Sequence, residues 1–244
     1  MELSQRVLCI VIIPAIIFIA TEGVSISNDD WQLNDSPQEM TDKEEAGIGR
    51  QVDEYIRHRF YLENDPEFNA VVNSIVQRVA AVSDRNTLSF TCTIIQSPSI
   101  NAFSAPGGYI YLTYGLLKFT QTEDEVAGIV GHEVAHASLR HASKLYHEIM
   151  EILSHQDKGI NDAANLLLLN NHLEEFEQDA DTKGVFYAHK AGFNPTGLLD
   201  FLERHYVLLM HRRMFGMPGS GVTATSDTRL NHLREYISTL EKKE

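Results

Sequence analysis

Five residues constrain this chain more than any others: His132-Glu133-Val134-Ala135-His136. They fall within a segment whose apolar residues, Val126, Ile129, Val130, Val134 and Ala137, recur at helical spacing. Thr122 and Glu125 stand three apart at its start, the signature of a capping box. Residues four apart share a helix face, so the two imidazoles can grip one metal ion while the Glu133 carboxylate projects beside them. Zinc needs such a set: two neutral nitrogens from a rigid element, a third ligand from elsewhere and an open position for water. Glu133 is then the residue to take the proton from that water.

The third ligand decides the class. One solution places a third His six residues after the second, beyond a Gly turn. Here position 142 is Ala142, position 139 is Leu139, and His141 is one residue off. That solution fails, the helix reads as continuing, and His141 reads as structural. The other solution is a carboxylate from a second helix. Glu174-Glu175-Phe176-Glu177-Gln178-Asp179-Ala180-Asp181 offers several. Glu177 and Asp181 are four apart on one face, so Glu177 can bind zinc while Asp181 reaches a ligand histidine and fixes its tautomer. As an acidic run alone, the segment reads equally well as a solvated helix face.

Several further segments occur together. They are Thr41-Asp42-Lys43-Glu44-Glu45-Ala46-Gly47-Ile48-Gly49; Asn101-Ala102-Phe103-Ser104-Ala105-Pro106-Gly107-Gly108-Tyr109-Ile110; Gly115-Leu116-Leu117; Gly131 with the five-residue motif; Arg140-His141; and Glu177-Gln178-Asp179-Ala180-Asp181, with Ala191-Gly192-Phe193-Asn194-Pro195 after it. In this order they resemble the M48 family of zinc metallopeptidases, over about residues 41 to 236. The resemblance implies a zinc endopeptidase of the soluble, envelope quality-control branch, with polypeptide substrates that are misfolded or unfolded. It implies one zinc ion per chain, held by His132, His136 and Glu177, with Asp181 behind them. It implies that Asn101, Ala102 and Phe103 form a sheet edge where an extended substrate pairs through its main chain.

The chain departs from the family at one place. Many soluble members carry Thr-His-Pro shortly before an Arg near the C-terminus. Here Val222-Thr223-Ala224-Thr225-Ser226-Asp227-Thr228 precedes Arg229, so the Arg is matched and the His is not. Arg229 is a candidate oxyanion partner, and His205 and His211 are candidate substitutes for the missing His. The departure leaves room for a second reading, a zinc-stabilised chaperone or binding protein of the envelope. Retention of Glu133 argues against it, because a purely structural metal has no use for a base. The prenyl-protease branch of the family needs several long apolar spans, and the sequence has none.

Charge and composition agree. A net charge of −14 disfavours nucleic acid and anionic membrane as partners. The two cysteines, Cys9 and Cys92, give no internal disulfide once the N-terminal segment is removed. Cys92 falls on the apolar side of an alternating strand and reads as a buried thiol.

Val7 to Ala20 is a 14-residue apolar run broken only by Pro14. As a helix it spans about 21 Å, against a hydrocarbon core of about 30 Å. It suits a signal peptide over 1–23, with small residues Ala20 and Gly23 near the cleavage point. The alternative is an anchor formed by 7–20, which would hold the domain beside a membrane. Export to the bacterial periplasm or envelope follows from the first. Residues 24–40 read as a flexible lead-in and 41–244 as one domain.

The remaining elements are helices over 43–61 and 66–82, the second capped by Asp65 with Pro66 at its first position. Strands are expected at 88–95, 101–104 and 108–113, with a turn at Pro106-Gly107-Gly108. Metal-bearing helices are expected over 122–150 and 172–191, then a helix over 195–213 and a loop over 216–221. The fold class is α+β: a helix-rich single domain whose small sheet borders the active-site helix.

Overall fold

The computed structural model describes residues 40–145, 162–214 and 227–242. The segments 1–39, 146–161, 215–226 and 243–244 lie outside the described residues. With them lie the expectations for the 1–23 signal peptide, almost all of the 24–40 lead-in, and the 216–221 loop.

Helix α1, Asp42–Arg59, starts at a capping box: Thr41 Oγ1 accepts from Glu44 N–H, and Thr41 N–H donates to Glu44 Oε2 at 2.7 Å. Helix α2, Pro66–Ala80, is capped by Asp65, which accepts from Glu67 and Phe68 N–H. After α2 comes a three-stranded sheet: β1 Thr91–Ile95, β2 Ala102–Ala105 and β3 Tyr109–Thr113. Its order is β1-β3-β2, with β3 parallel to β1 and antiparallel to β2. β2 therefore forms one edge. The 106–108 turn holds Gly107 at φ 81 and Gly108 at φ 87, conformations that L side chains resist. Strand β1 begins three residues later than expected, because Leu88 is taken into a turn by its N–H bond to Arg85 O.

Alternation divides the sheet between two cores. Cys92, Ile94, Ile110 and Leu112 face α2 and the helix Glu123–Ser138. Ile95, Phe103, Ala105 and Tyr111 face Ile48, Val52 and Ile56 of α1, with Phe103 stacked on Tyr111 at 4.8 Å. Burial pushes the Cys92 thiol up to about 12, so it is inert.

A short helix, α3 Tyr114–Phe119, then leads into α4, Glu123–Ser138. Twelve of the 16 residues of α4 are buried, as befits a helix with neighbours on every side. Only half of its expected capping box forms. Thr122 accepts from Glu125 N–H, but the Glu125 carboxylate takes Gln121 N–H and Arg204 instead.

The expected helix over 122–150 is broken. It stops at Ser138, and Arg140 adopts φ 58 before residues 141–145 turn helical again. No glycine marks the break. Its cause is distant in sequence: the Arg140 guanidinium donates to Met40 O at 2.8 Å and pairs with Asp42 and Glu45 of α1.

Helix α5, Asp162–Lys190, begins ten residues earlier than expected and ends in a Schellman turn. Gly192 takes φ 86, Phe193 N–H bonds Ala188 O, and Pro195 follows. Helices α6, Gly197–Met214, and α7, Asp227–Glu241, complete the fold; α7 was not anticipated. None of the described helices is long and apolar enough to cross a membrane.

Helices α4 and α5 cross at backbone contact through two glycines. A Cβ on Gly131 would lie 2.4 Å from Gly184 O, and one on Gly184 would lie 2.5 Å from His132 N. Glu177 and Asp181 ride on α5 and His132 on α4, so this crossing sets the distances within the site. Gly184→Ala should force the helices apart at a cost of about 1–3 kcal/mol. Urea unfolding of the metal-free variant checks this; an unchanged midpoint would contradict so tight a crossing.

Candidate metal centre

His132 and His136 project from adjacent turns of α4, and Glu177 comes from α5. One ligand atom from each lies within 4.8 Å of the others, the only such cluster among the described residues. The His132 and His136 Nε2 atoms are 3.0 Å apart, and Glu177 lies 3.5 Å from the first and 3.4 Å from the second. Three ligands of one tetrahedral ion at about 2.0–2.1 Å would be about 3.3 Å apart. The donor set therefore fits a divalent metal without rearrangement. Glu174 and Glu175 are exposed, away from the cluster.

Behind the cluster lies a second layer. Asp181, fully buried, places Oδ1 2.9 Å from His132 Nδ1. Arg229 grips the same carboxylate with Nε and Nη2, both at 2.7 Å, and its Nη1 lies 3.0 Å from Glu177. Burial alone would raise the Glu177 and Asp181 carboxyls, but Arg229 and the imidazoles outweigh it and hold both low. Burial also opposes the Arg229 charge, which the two carboxylates more than restore.

Glu133 differs. Burial pushes its carboxyl up to about 7, with His132 opposing and Glu177 adding to the rise; Ser104 of β2 hydrogen-bonds to it. The carboxyl groups of Glu133, Glu177 and Asp181 thus stand against one guanidinium, an excess of acidic groups that a divalent cation would offset.

His132, Glu133, His136, Glu177 and Arg229 line a cleft together with Asn101, Ala102, Phe103 and Ser104 at the β2 edge. Asn101 is tied to β3, its N–H donating to Thr113 Oγ1 and its carbonyl accepting from Thr113 N–H. His205 and His211 are absent from the lining; His205 is buried between Phe119 and Phe201, and His211 is exposed. His141 does reach the cleft, which the sequence reading missed. Its Nδ1 lies 3.0 Å from His136 Nδ1, and its ring stacks on Phe176 at 4.2 Å. Burial, with His136 beside it, pushes the His141 imidazole down to about 2, so it is neutral.

A helix-rich α+β domain with two histidines on one helix and a glutamate on the next defines the HExxH class with a glutamate third donor. Within that class, the sequence profile of peptidase family M48 matches residues 66–239, and the chain belongs to this family. It is similar to a putative beta-barrel assembly-enhancing protease of Vibrio cholerae, 26% identical over 202 residues, which is 72% of this chain and 42% of that protein. It is also similar to the beta-barrel assembly-enhancing protease of Escherichia coli, 23% identical over 59% of this chain and 34% of that protein. The mitochondrial metalloendopeptidase OMA1 of Arabidopsis thaliana is 31% identical over 124 residues, 48% of this chain and 26% of that protein. The chain thus spans less than half the length of these relatives.

Proposed function

We propose that this chain is a zinc-dependent endopeptidase. What carries the reading is the convergence of His132, His136 and Glu177 beside a buried Glu133, in a cleft bordered by an edge strand. Two imidazoles and one carboxylate with room for a fourth ligand suit zinc. Zinc at that point would polarise the scissile carbonyl and acidify the attacking water.

The protein's own groups divide the rest. Glu133 accepts the water proton and returns it to the leaving amine. Asp181 holds the proton on His132 Nδ1, leaving Nε2 free as a donor. Arg229 offsets part of the charge of Asp181 and Glu177 and keeps them in place. With its guanidinium so engaged, it serves as a positioning residue rather than as the oxyanion partner suggested by its place in the sequence. Asn101, Ala102 and Phe103 offer the substrate an edge to which an extended peptide adds by main-chain bonds. Such pairing depends little on side chains but requires an extended segment, which favours unfolded or misfolded polypeptides.

An exported, envelope location for a mature chain freed of 1–23 rests on the apolar run 7–20. It is supported by bacterial relatives named for beta-barrel assembly. The test of the reading is hydrolysis of reduced casein by the metal-stripped chain, with and without added zinc. Cleavage only with zinc is expected; cleavage that ignores the metal would overturn it.

A further inference from the structure

We propose that His141 is a positioning residue for His136, accepting the His136 Nδ1 proton so that the His136 Nε2 lone pair faces the metal. The inference rests on the reading of His136 as a metal ligand. Two imidazole Nδ1 atoms 3.0 Å apart share a single proton: one donates and the other accepts. If His141 donated, His136 would carry its own proton on Nε2, pointing at His132 Nε2 and Glu177, where a metal must bind. If His136 donates, its Nε2 is free. Only the second arrangement matches His132, whose Nδ1 faces the Asp181 carboxylate, an acceptor without a proton. The two ligand imidazoles then have acceptors of different kinds, a carboxylate for one and a neutral imidazole for the other.

The fold is built to bring His141 there. On an unbroken helix, a residue five positions after His136 would lie about 140° around the axis, out of reach. The left-handed Arg140 turns the chain so that His141 meets the far side of the His136 ring, at 5.0 Å and 78°. A non-glycine residue in that conformation is strained, its Cβ crowding the following carbonyl oxygen. The bonds of Arg140 to Met40 and its ion pairs with Asp42 and Glu45 offset that strain. Ser143 Oγ donates to the same buried Glu45, and Arg85 joins Glu45 to Ala137 O at the end of α4. The start of α1 therefore holds the turn, and Phe176, next to Glu177 in sequence, holds the His141 ring plane at 12° to its own.

The experiment measures zinc affinity by chelator competition for wild type, His141→Phe, His141→Asn and His136→Ala. Phe keeps a ring against Phe176 and removes the acceptor; affinity should fall about 10- to 100-fold, as for other outer partners of ligand histidines. Asn places an amide oxygen near the Nδ1 position and should recover most of the loss. Nitrogen-15 NMR of zinc-loaded wild type should show His141 protonated on Nε2 and bare at Nδ1, which decides the matter even if a variant does not fold. Wild-type affinity in His141→Phe, no recovery in His141→Asn, or a proton on His141 Nδ1 would overturn the inference. His136→Ala separates the two readings: if it binds zinc as wild type does, the metal assignment itself fails. If it loses zinc while His141→Phe does not, only the positioning role fails.

Discussion

Glu133→Gln is expected to keep its zinc and its fold while peptide hydrolysis falls by about 10²–10⁴-fold, the usual contribution of a general base. The amide has the shape of the carboxylate but cannot accept the water proton. The residue is 5% exposed within the buried face of α4, and it is not one of the three clustered donors. Zinc content by elemental analysis should therefore stay at one per chain. A neutral side chain is also well tolerated here, because burial already pushes the Glu133 carboxyl up to about 7. Initial rates on casein check the prediction. Undiminished cleavage by the variant would remove Glu133 from the mechanism. Loss of zinc alongside activity would make it a structural residue.

Glu177→Ala should have an equally large effect by a different route. It removes the only donor that α5 contributes to the cluster, leaving two imidazoles to hold the metal. Zinc should be lost at concentrations that saturate wild type, and hydrolysis with it. Glu174→Ala and Glu175→Ala, at exposed positions one turn or less away, should bind zinc as wild type does. Fold loss is not the expected cause, since Arg229 keeps both of its bonds to Asp181 when Glu177 is removed. Zinc affinity and far-UV dichroism on the three variants separate the cases. If Glu175→Ala empties the site and Glu177→Ala does not, the third ligand is misassigned.

Much of this site was legible in the sequence because its geometry is local. A four-residue spacing puts His132 and His136 on one helix face, and the same spacing does so for Glu177 and Asp181. The helix caps at Thr41 and Asp65 and the glycine turns at 107–108 and 192 obey rules that act within a few residues. What the sequence hid is set by partners far along the chain. Arg140 leaves the helix because Met40, Asp42 and Glu45 hold its guanidinium, and nothing near residue 140 signals it. The break decides where His141 goes, so a residue that looked merely structural from its spacing lies against His136. Glu125 abandons its capping box for Arg204, about eighty residues on. Arg229 looked free to meet a substrate oxygen, yet it is engaged by two carboxylates from α5. The short α3 escaped notice because its six residues carry too few turns to show a period.

The central claim, that three side chains hold a zinc ion which makes this chain a peptidase, is tested most directly by titration. Metal-free protein is given zinc in steps while cleavage of reduced casein is followed. The account predicts no cleavage at the start, a linear rise, and a break at one zinc per chain. Two results would contradict it. One is cleavage that is present before zinc is added and indifferent to it. The other is stoichiometric zinc binding with no cleavage at any point, which would mark the chain as a zinc-stabilised binding protein.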